Sequence, residues 1–175
     1  MYKVAVLSDS HRKTDLTKDA IDMLKAKGAQ YIVHAGDLEI KENLELLKNS
    51  GLVYVSVFGN NDWALMKYQN EYKIHQEPYF FSIKKSKYKL MHIPNHLSPD
   101  TDIIIYGHTH IFKTEYINNT LFLNPGEVCA RDKNLTECVL LEVSDDSYKV
   151  EYFYKKPAET NWQTKLYEYK RGELN

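Results

Sequence analysis

The 175-residue sequence predicts an α/β fold in which two β sheets form a sandwich flanked by helices, the four-layer α-β-β-α arrangement. Three observations indicate this fold. Strand and helix patterns alternate over the first sixty residues, β patterns dominate the second half, and polar residues follow several apolar runs. Because the composition is 43% hydrophobic and 27% charged, as is ordinary for a globular protein, we expect residues 1–175 to form one domain.

The first half contains three strand patterns separated by two helix patterns. Residues 4–7, 31–35 and 52–58 have the continuous apolar character of buried strands. Apolar residues recur at helical spacing in residues 15–27 and 39–49, and Gly28 predicts the end of the first helix. This order predicts parallel strands joined by right-handed crossovers.

The second half shows strand patterns with little sequence between them. We predict a short helical stretch at 63–68, strands at 79–83, 89–93, 103–106, 113–117 and 121–123, and a hairpin from 137–143 and 148–154. The charged and aromatic segment after residue 154 has no assigned structure. The basic run at 82–89 is read first as a solvated hairpin turn, with steering of anions towards a nearby site as the alternative.

Composition excludes several classes of protein. A formal net charge of −1 argues against a large surface for nucleic acid, and no apolar run reaches the roughly 20 residues of a membrane helix. The apolar run that begins at Val4 is too brief for a signal peptide, so we expect a cytoplasmic protein. Cys129 and Cys138 lack metal-binding spacing and are expected in the core or at an edge.

Residues able to bind a metal follow five of the apolar runs. Asp9, Asp37 and Asn60 each follow a strand of the predicted parallel sheet, so they should meet at the edge where its carboxyl ends lie. His92 and His108 follow two later apolar runs. The sequence therefore predicts a cluster of nitrogen and oxygen donors.

Two divalent cations held close together need a carboxylate that bridges them, further donors on each cation, and open positions for water and phosphate. Asp37 is the natural bridge. Because imidazole suits Zn, Fe, Mn or Ni whereas an all-oxygen site favours Mg or Ca, the histidines indicate a transition metal. Gly36, Gly59 and Gly107 lack a Cβ and allow ligands and backbone to lie close together.

Each residue also has an ordinary structural interpretation. Asp9 could cap a helix, with His11 on the surface beside it, and Asp37 and Asn60 could be turn residues. His92 could be a hydrogen-bonded core histidine. His108 and His110 could face solvent, and residues 124–126 are most simply a turn. The metal-site interpretation rests on all five segments occurring together.

The ordered segments Ser8-Asp9-Ser10-His11, Ala35-Gly36-Asp37, Gly59-Asn60-Asn61-Asp62, Met91-His92, Gly107-His108-Thr109-His110 and Asn124-Pro125-Gly126 resemble the calcineurin-like metallophosphoesterase superfamily. Within it, the chain is most similar to the small YfcE- or MJ0936-like phosphodiesterases. The resemblance covers about residues 2–128. It implies the expected fold and a hydrolase acting on phosphodiesters, with a small-molecule or nucleotide-like substrate.

The resemblance also implies the residue roles. One metal would be held by Asp9, His11, Asp37 and His110, and the other by Asp37, Asn60, His92 and His108. Two divalent ions would hold the hydroxide that attacks phosphorus, with Mn as the first expectation and Ni, Zn or Fe as alternatives. The catalytic residues would be Asp37, Asn60, Asn61 and Asp62. Relatives are commonly dimers, so a homodimer is one arrangement to test.

Three features depart from the superfamily pattern. Phosphatases of the superfamily typically have His where this chain has Asn61, and Asn is not a general acid, which favours diesters or good leaving groups. Relatives usually continue His-Gly-His where this chain has Pro94 after His92-Ile93, so His96 could substitute for the second His. The interval from His92 to His108 is too short for the helix that relatives place there, which predicts an open site.

Two further functions remain as alternatives. One is a phosphomonoesterase, which Asn61 disfavours. The other is a scaffold for protein assembly, since the small subunit of retromer resembles this fold. His34 could orient a metal ligand from behind.

Overall fold

The computed structural model describes residues 1–172, which form two mixed sheets and two α-helices. The seven-stranded sheet has the order β12-β11-β10-β1-β2-β3-β4, in which β1 to β4 are parallel and the remaining strands antiparallel. Its strands are β1 Tyr2–Leu7, β2 Tyr31–His34, β3 Val53–Val57, β4 Ile74–His75, β10 Thr136–Val143, β11 Ser147–Lys155 and β12 Gln163–Lys170. The helices are α1 Thr14–Ala26 and α2 Lys41–Asn49, and a 3₁₀ helix spans Trp63–Tyr68.

The five-stranded sheet has the order β5-β6-β7-β9-β8. Its central strands β6, β7 and β9 are parallel, whereas β5 and β8 are antiparallel to their neighbours. The strands are β5 Tyr79–Ile83, β6 Ser86–Leu90, β7 Ile103–Ile105, β8 Lys113–Ile117 and β9 Thr120–Asn124. The basic run is part of a hairpin, but only the exposed Lys84 and Lys85 form the predicted solvated turn between β5 and β6. The other residues of the run lie in the two strands, and Lys89 is buried.

Burial on both faces explains why β1 is continuously apolar. Val4 and Val6 contact the core between the sheets, while Ala5 and Leu7 contact the core beneath α1 and α2. Buried parallel strands have this uninterrupted pattern because helices and a second sheet cover their two faces. The predicted two-sheet sandwich with flanking helices is confirmed.

Both α-helices pack on the seven-stranded sheet, and in residues 1–172 no helix covers the outer face of the other sheet, so the second helix layer of the expected α-β-β-α arrangement is not formed. A loop covers part of that face instead. Lys89 of β6 is only 1% exposed, and its Nζ donates to the carbonyls of His96 and Ser98 at 3.1 and 3.0 Å and lies 2.5 Å from Asp100 Oδ1. The loop that follows His92 is therefore held against the sheet by a buried lysine and not by the packing of a helix.

The structure corrects several predicted boundaries. Helix α2 begins at Lys41 rather than residue 39, because Glu39 has φ +65° and Ile40 is extended. Strand β6 ends at Leu90 rather than residue 93, because the backbone N–H groups of His92 and Ile93 donate to the Glu77 carboxylate. Two strands went unassigned: β4, and β12 in the segment after residue 154.

Within the described part of the chain, no helix is both long enough and apolar enough to cross a membrane.

Candidate metal centre

The seven predicted ligands lie just beyond the carboxyl ends of five parallel strands. β1, β2 and β3 bring residues to one edge of the seven-stranded sheet, and β6 and β7 bring residues to the facing edge of the other sheet. Hydrogen bonds and contacts link the side chains into one cluster. Its members are Asp9, His11, Asp37, Asn60, His92, His108 and His110.

Asp37 lies at the centre of this cluster. Its Oδ2 is 3.4 Å from His92 Nε2 on one side and 3.8 Å from His11 Nε2 on the other. Asn61 orients the carboxylate, since its backbone N–H donates to Oδ1 at 2.9 Å and its amide donates to Oδ2 at 2.7 Å. Burial acts to raise the pKa of Asp37, but the bonds from His92 and Asn61 outweigh it and hold that pKa well below its usual range.

We call Asp9, His11 and His110 half-site A. All three are buried, and Asp9 Oδ1 lies 3.1 Å from His110 Nε2. That approach lacks hydrogen-bond geometry, so Asp9 Oδ1 has no hydrogen-bond partner, and His11 Nε2 has none either. Burial acts to raise the pKa of Asp9, but His110 and His92 lower it overall, so the carboxylate is charged. Buried donor atoms without partners are what a metal site requires.

Carboxylates hold the far sides of both half-site A imidazoles. His110 Nδ1 lies 2.6 Å from Glu127 Oε2, and His11 Nδ1 lies 3.3 Å from Glu39 Oε2. Because a carboxylate accepts the Nδ1 proton, the Nε2 lone pair of each ring is left to coordinate a cation. Burial acts to raise the pKa of Glu127, but backbone bonds, among them one from Asp132, lower it, so Glu127 is anionic.

We call Asn60, His92 and His108 half-site B. Asn60 Oδ1 lies 3.0 Å from both His92 Nε2 and His108 Nδ1. His92 Nδ1 lies 2.8 Å from the carbonyl of Ala35, and because a carbonyl only accepts, Nδ1 is the donor. His92 is buried, whereas Asn60 and His108 are exposed. Half-site B is thus open to solvent, as the short His92–His108 interval predicts.

The backbone around the cluster is tightly packed. A Cβ on Gly59 would lie 2.2 Å from Asp37 Oδ1, one on Gly107 would lie 2.0 Å from Ser8 Oγ, and one on Gly36 would lie 2.7 Å from His92 Nδ1. The expected role of these glycines is confirmed. Left-handed backbone also concentrates here, which marks local strain at a functional site. The non-glycine residues of the cluster with positive φ are Asp9, His11, Asp37, His108 and His110.

Asn61 and Asp62 support the cluster from the loop after β3. Both donors of Asn61 serve Asp37, as described above. Asp62 is buried, and its two carboxylate oxygens accept the backbone N–H groups of Gly59 at 2.8 Å and Glu39 at 2.6 Å. Burial raises the pKa of Asp62. Asp62 therefore ties the loop after β3 to the loop after β2.

The two remaining candidate histidines have different environments. His34 is fully buried behind the cluster, where its Nε2 lies 2.8 Å from Ser10 Oγ, and burial lowers its pKa to about 3. Ser10 lies between Asp9 and His11 in the chain, so His34 supports their loop. His96 is exposed, and the potential metal-binding groups in residues 1–172 do not include it. The suggestion that His96 substitutes for the second His of the family pattern stays a prediction.

The loop after β9 contributes residues that the sequence analysis missed. Glu127 supports His110, and Cys129 forms a potential metal-binding group with His11 and His110. The Cys129 thiol donates to Glu127 Oε2 at 3.2 Å, and burial raises its pKa to about 12. Asn124, interpreted as part of a turn, donates to the carbonyl of Gly107 at 3.0 Å and so braces the histidine loop. The available signal was position, since Asn124 ends β9 and the other two residues follow it, and β9 belongs to the same five-stranded sheet as β6 and β7.

The donor set fits divalent metal ions. Carboxylate, amide and imidazole donors converge from two sheets, two buried donor atoms lack partners, and Asp9, Asp37 and His92 lie close enough to share an ion. Mixed nitrogen and oxygen donors suit first-row transition metals.

Comparisons with known proteins identify the family of the chain. The family described as the calcineurin-like phosphoesterase superfamily domain matches residues 2–146. Phosphodiesterase MJ0936 of Methanocaldococcus jannaschii is 24% identical over 160 residues, which cover 84% of this chain and 96% of that protein.

Two solved structures show the same fold. Vacuolar Protein Sorting 29 of Cryptosporidium parvum has a TM-score of 0.80 at 21% identity, covering 97% of this chain and 98% of that one. The phosphoesterase YfcE of E. coli has a TM-score of 0.67 at 23% identity, covering 85% of this chain and 91% of that one. At these identities the likeness concerns the fold alone. Because the family match spans most of the sequence, the chain belongs to the calcineurin-like phosphoesterase superfamily.

Proposed function

We propose that the protein is a metal-dependent phosphodiesterase with a dinuclear centre. Asp9, His11, Asp37 and His110 hold one divalent ion, and Asp37, Asn60, His92 and His108 hold the other. The similarity to a protein named a phosphodiesterase supports the reaction class. Imidazole donors favour a transition metal, with Mn first and Ni, Zn or Fe as alternatives.

The position of Asp37 carries this proposal. Its carboxylate faces half-site A through His11 and half-site B through His92, so one side chain can serve both ions. Asn61 fixes the carboxylate with two hydrogen bonds, which orient it before any ion binds. When bound, the two cations would supply a nucleophilic hydroxide at neutral pH and stabilise the charge that develops on phosphate oxygens.

Asn61 also supports a preference for diesters or esters with good leaving groups over alkyl phosphomonoesters. An amide does not titrate, and the Asn61 amide is bonded to Asp37, so this residue has no proton to give to a departing alkoxide. Substrates whose leaving group is already a weak base need no such proton. Aryl phosphodiesters should therefore react faster than alkyl phosphomonoesters.

The decisive experiment combines metal analysis with hydrolysis assays. The purified protein would be stripped of metal, reloaded with Mn, Ni, Zn or Mg, and assayed on bis-p-nitrophenyl phosphate and p-nitrophenyl phosphate. We expect turnover with a transition metal and a higher kcat/KM for the diester. A higher kcat/KM for the monoester would support the phosphomonoesterase alternative.

The same experiment tests the scaffold alternative. The likeness to Vacuolar Protein Sorting 29 shows that a protein of that name shares the fold. A protein that holds two metals per chain but hydrolyses neither substrate would favour assembly over catalysis.

A further inference from the structure

A cavity of about 580 Å³ adjoins half-site A, and none of the proposed roles uses it. His11 lies in its wall, so the cavity begins at a proposed metal ligand. Its volume lies within the roughly 300–1,000 Å³ of ordinary small-molecule sites. A substrate whose phosphorus lies at the metal centre could therefore place another of its groups in this cavity.

Three cationic side chains line the cavity: Arg12, Lys13 and Arg131. Two carboxylates, Asp15 and Glu39, also line it, and Glu39 is engaged by Arg12 and His11 at 3.3 Å each. The wall thus has more positive than negative side chains. Such a surface favours an anionic group over a neutral one.

Arg131 lies at the boundary between the cavity and the metal centre. Its Nη2 is 3.2 Å from His110 Nε2, the nitrogen assigned to coordination, while its Nε lies 3.2 Å from the exposed carboxylate of Asp132. His110 Nε2 cannot accept from Arg131 and bind a cation with the same lone pair. With a cation on His110, the guanidinium would therefore lie at the edge of the metal centre with donors left to bind another group.

Lys13 adds a second donor. Lys13 precedes α1 and is exposed. Among residues 1–172, its ammonium group forms no ion pair. A long cation without a fixed partner can turn towards a ligand in the cavity at little energetic cost.

We infer that this cavity selects phosphodiesters that carry a second phosphate, which Arg131 binds together with Lys13 and Arg12. This inference rests on the proposed phosphodiesterase function and narrows its substrate class. Arg131 is the specificity residue, because a planar guanidinium can donate two parallel hydrogen bonds to a phosphate.

The test compares two substrates that differ only in the second phosphate. These are the p-nitrophenyl ester of thymidine 5′-monophosphate and the same ester with a 3′-phosphate. The Mn-loaded wild-type protein should have a kcat/KM at least about tenfold higher for the 3′-phosphorylated ester, as charge-assisted hydrogen bonds provide. Arg131→Gln should bring the ratio of the two kcat/KM values close to one, and Arg131→Lys should retain part of it. Lys85→Gln, an equal charge change in the distant β5–β6 turn, should leave the ratio unchanged.

The outcomes separate this inference from the proposed function. Turnover of both esters without a preference, or a preference that Arg131→Gln leaves intact, overturns the inference while the phosphodiesterase stands. If neither ester is hydrolysed, the proposed function fails, and calorimetric binding to the Mn-loaded protein decides the inference. Thymidine 3′,5′-bisphosphate should then bind at least about tenfold more tightly than thymidine 5′-monophosphate, and Arg131→Gln should remove that difference. Equal affinities in the wild type overturn it.

Discussion

The two half-sites of the candidate metal centre differ in burial, in charge and in the groups that orient their histidines. Half-site A is buried, contains a carboxylate of its own, Asp9, and has Glu39 and Glu127 behind its histidines. Half-site B has no carboxylate besides the shared Asp37, and two of its three donors are exposed. Its buried histidine, His92, is oriented by a backbone carbonyl instead of a carboxylate.

This difference assigns distinct tasks to the two halves. Negative charge and burial strengthen the attraction between a site and a cation, so half-site A should hold its ion more firmly. Half-site B should exchange its ion more readily and admit solvent and substrate.

Removing the shared carboxylate should abolish metal binding by both half-sites at once. Asp37→Ala deletes the one group that faces both His11 and His92, so we expect loss of both ions and at least about a 10³-fold fall in kcat/KM, since metal catalysis is worth several kcal/mol. Metal content by mass spectrometry and hydrolysis of bis-p-nitrophenyl phosphate provide the measurement. Circular dichroism should show a folded protein. Normal turnover by this variant would exclude Asp37 as the bridge.

His110→Ala and His92→Ala are the matched controls. Each variant should lose one ion and keep the other, because each histidine belongs to one half only. If either substitution removes both ions, the two half-sites do not bind their ions independently.

A methyl group at Gly36 should disturb half-site B through packing. The Cβ of Gly36→Ala would meet His92 Nδ1 at 2.7 Å, and Gly36 also has φ +89°. We expect a free energy of unfolding about 2–5 kcal/mol lower, about 1–2 from left-handed backbone and the rest from overpacking. Gly51→Ala is the control, since Gly51 has φ +78° but nothing within 4 Å of an added Cβ, and it should show the backbone part alone. Equal losses in urea denaturation of the two variants would contradict the packing argument.

Parts of the fold that depend on local pattern were predictable. Strand β1 could be predicted because the burial of both its faces requires Val4 to Leu7 to be uniformly apolar. Helix α2 was predicted two residues too early, because apolar spacing does not reveal that Glu39 is drawn into the metal-centre loop with φ +65°. β12 was missed because it is an edge strand with largely exposed side chains, which weakens the alternation that marks a strand.

In the candidate site, too, only the features that depend on local sequence pattern could be predicted. The convergence of the candidate donors was predictable because Asp9, Asp37, Asn60, His92 and His108 each follow an apolar run, which is a local signal. Glu127 and Arg131 could not be predicted from local pattern. Their contacts with His110 depend on the pairing of β7 with β9, which places the loop after β9 beside the loop that carries His108 and His110. The seven ligand assignments remain predictions until metal content is measured in variants.

The metal-free protein should lose stability as the pH rises. Burial acts to lower the pKa of His92, but the bond to Asp37 and its charge outweigh burial and raise that pKa from 6.5 to about 9. A raised pKa in the folded state stabilises the protein fully below pH 6.5, and this contribution disappears as pH rises through about 9. In the presence of chelator, the free energy of unfolding should fall by on the order of 2 kcal/mol between these values.

Urea denaturation at pH 6.5 and pH 9 measures this fall. His110 also has a raised pKa, so His92→Gln should reduce the fall without abolishing it. An unchanged fall in that variant would show that His92 is not the group responsible.

The smallest effect should come from Glu127, and it should be confined to half-site A. Glu127→Gln keeps the shape of the side chain but removes the charge that faces His110 Nδ1 at 2.6 Å. Loss of such a supporting carboxylate weakens metal binding by about 10- to 100-fold, and we expect the lower end because the Gln oxygen can still accept the Nδ1 proton. Calorimetric titration with Mn should show one weakened site beside one unchanged site. Because half-site B has a backbone carbonyl in this position, a loss of affinity at both sites would mean that Glu127 acts through the charge of the whole centre and not through His110.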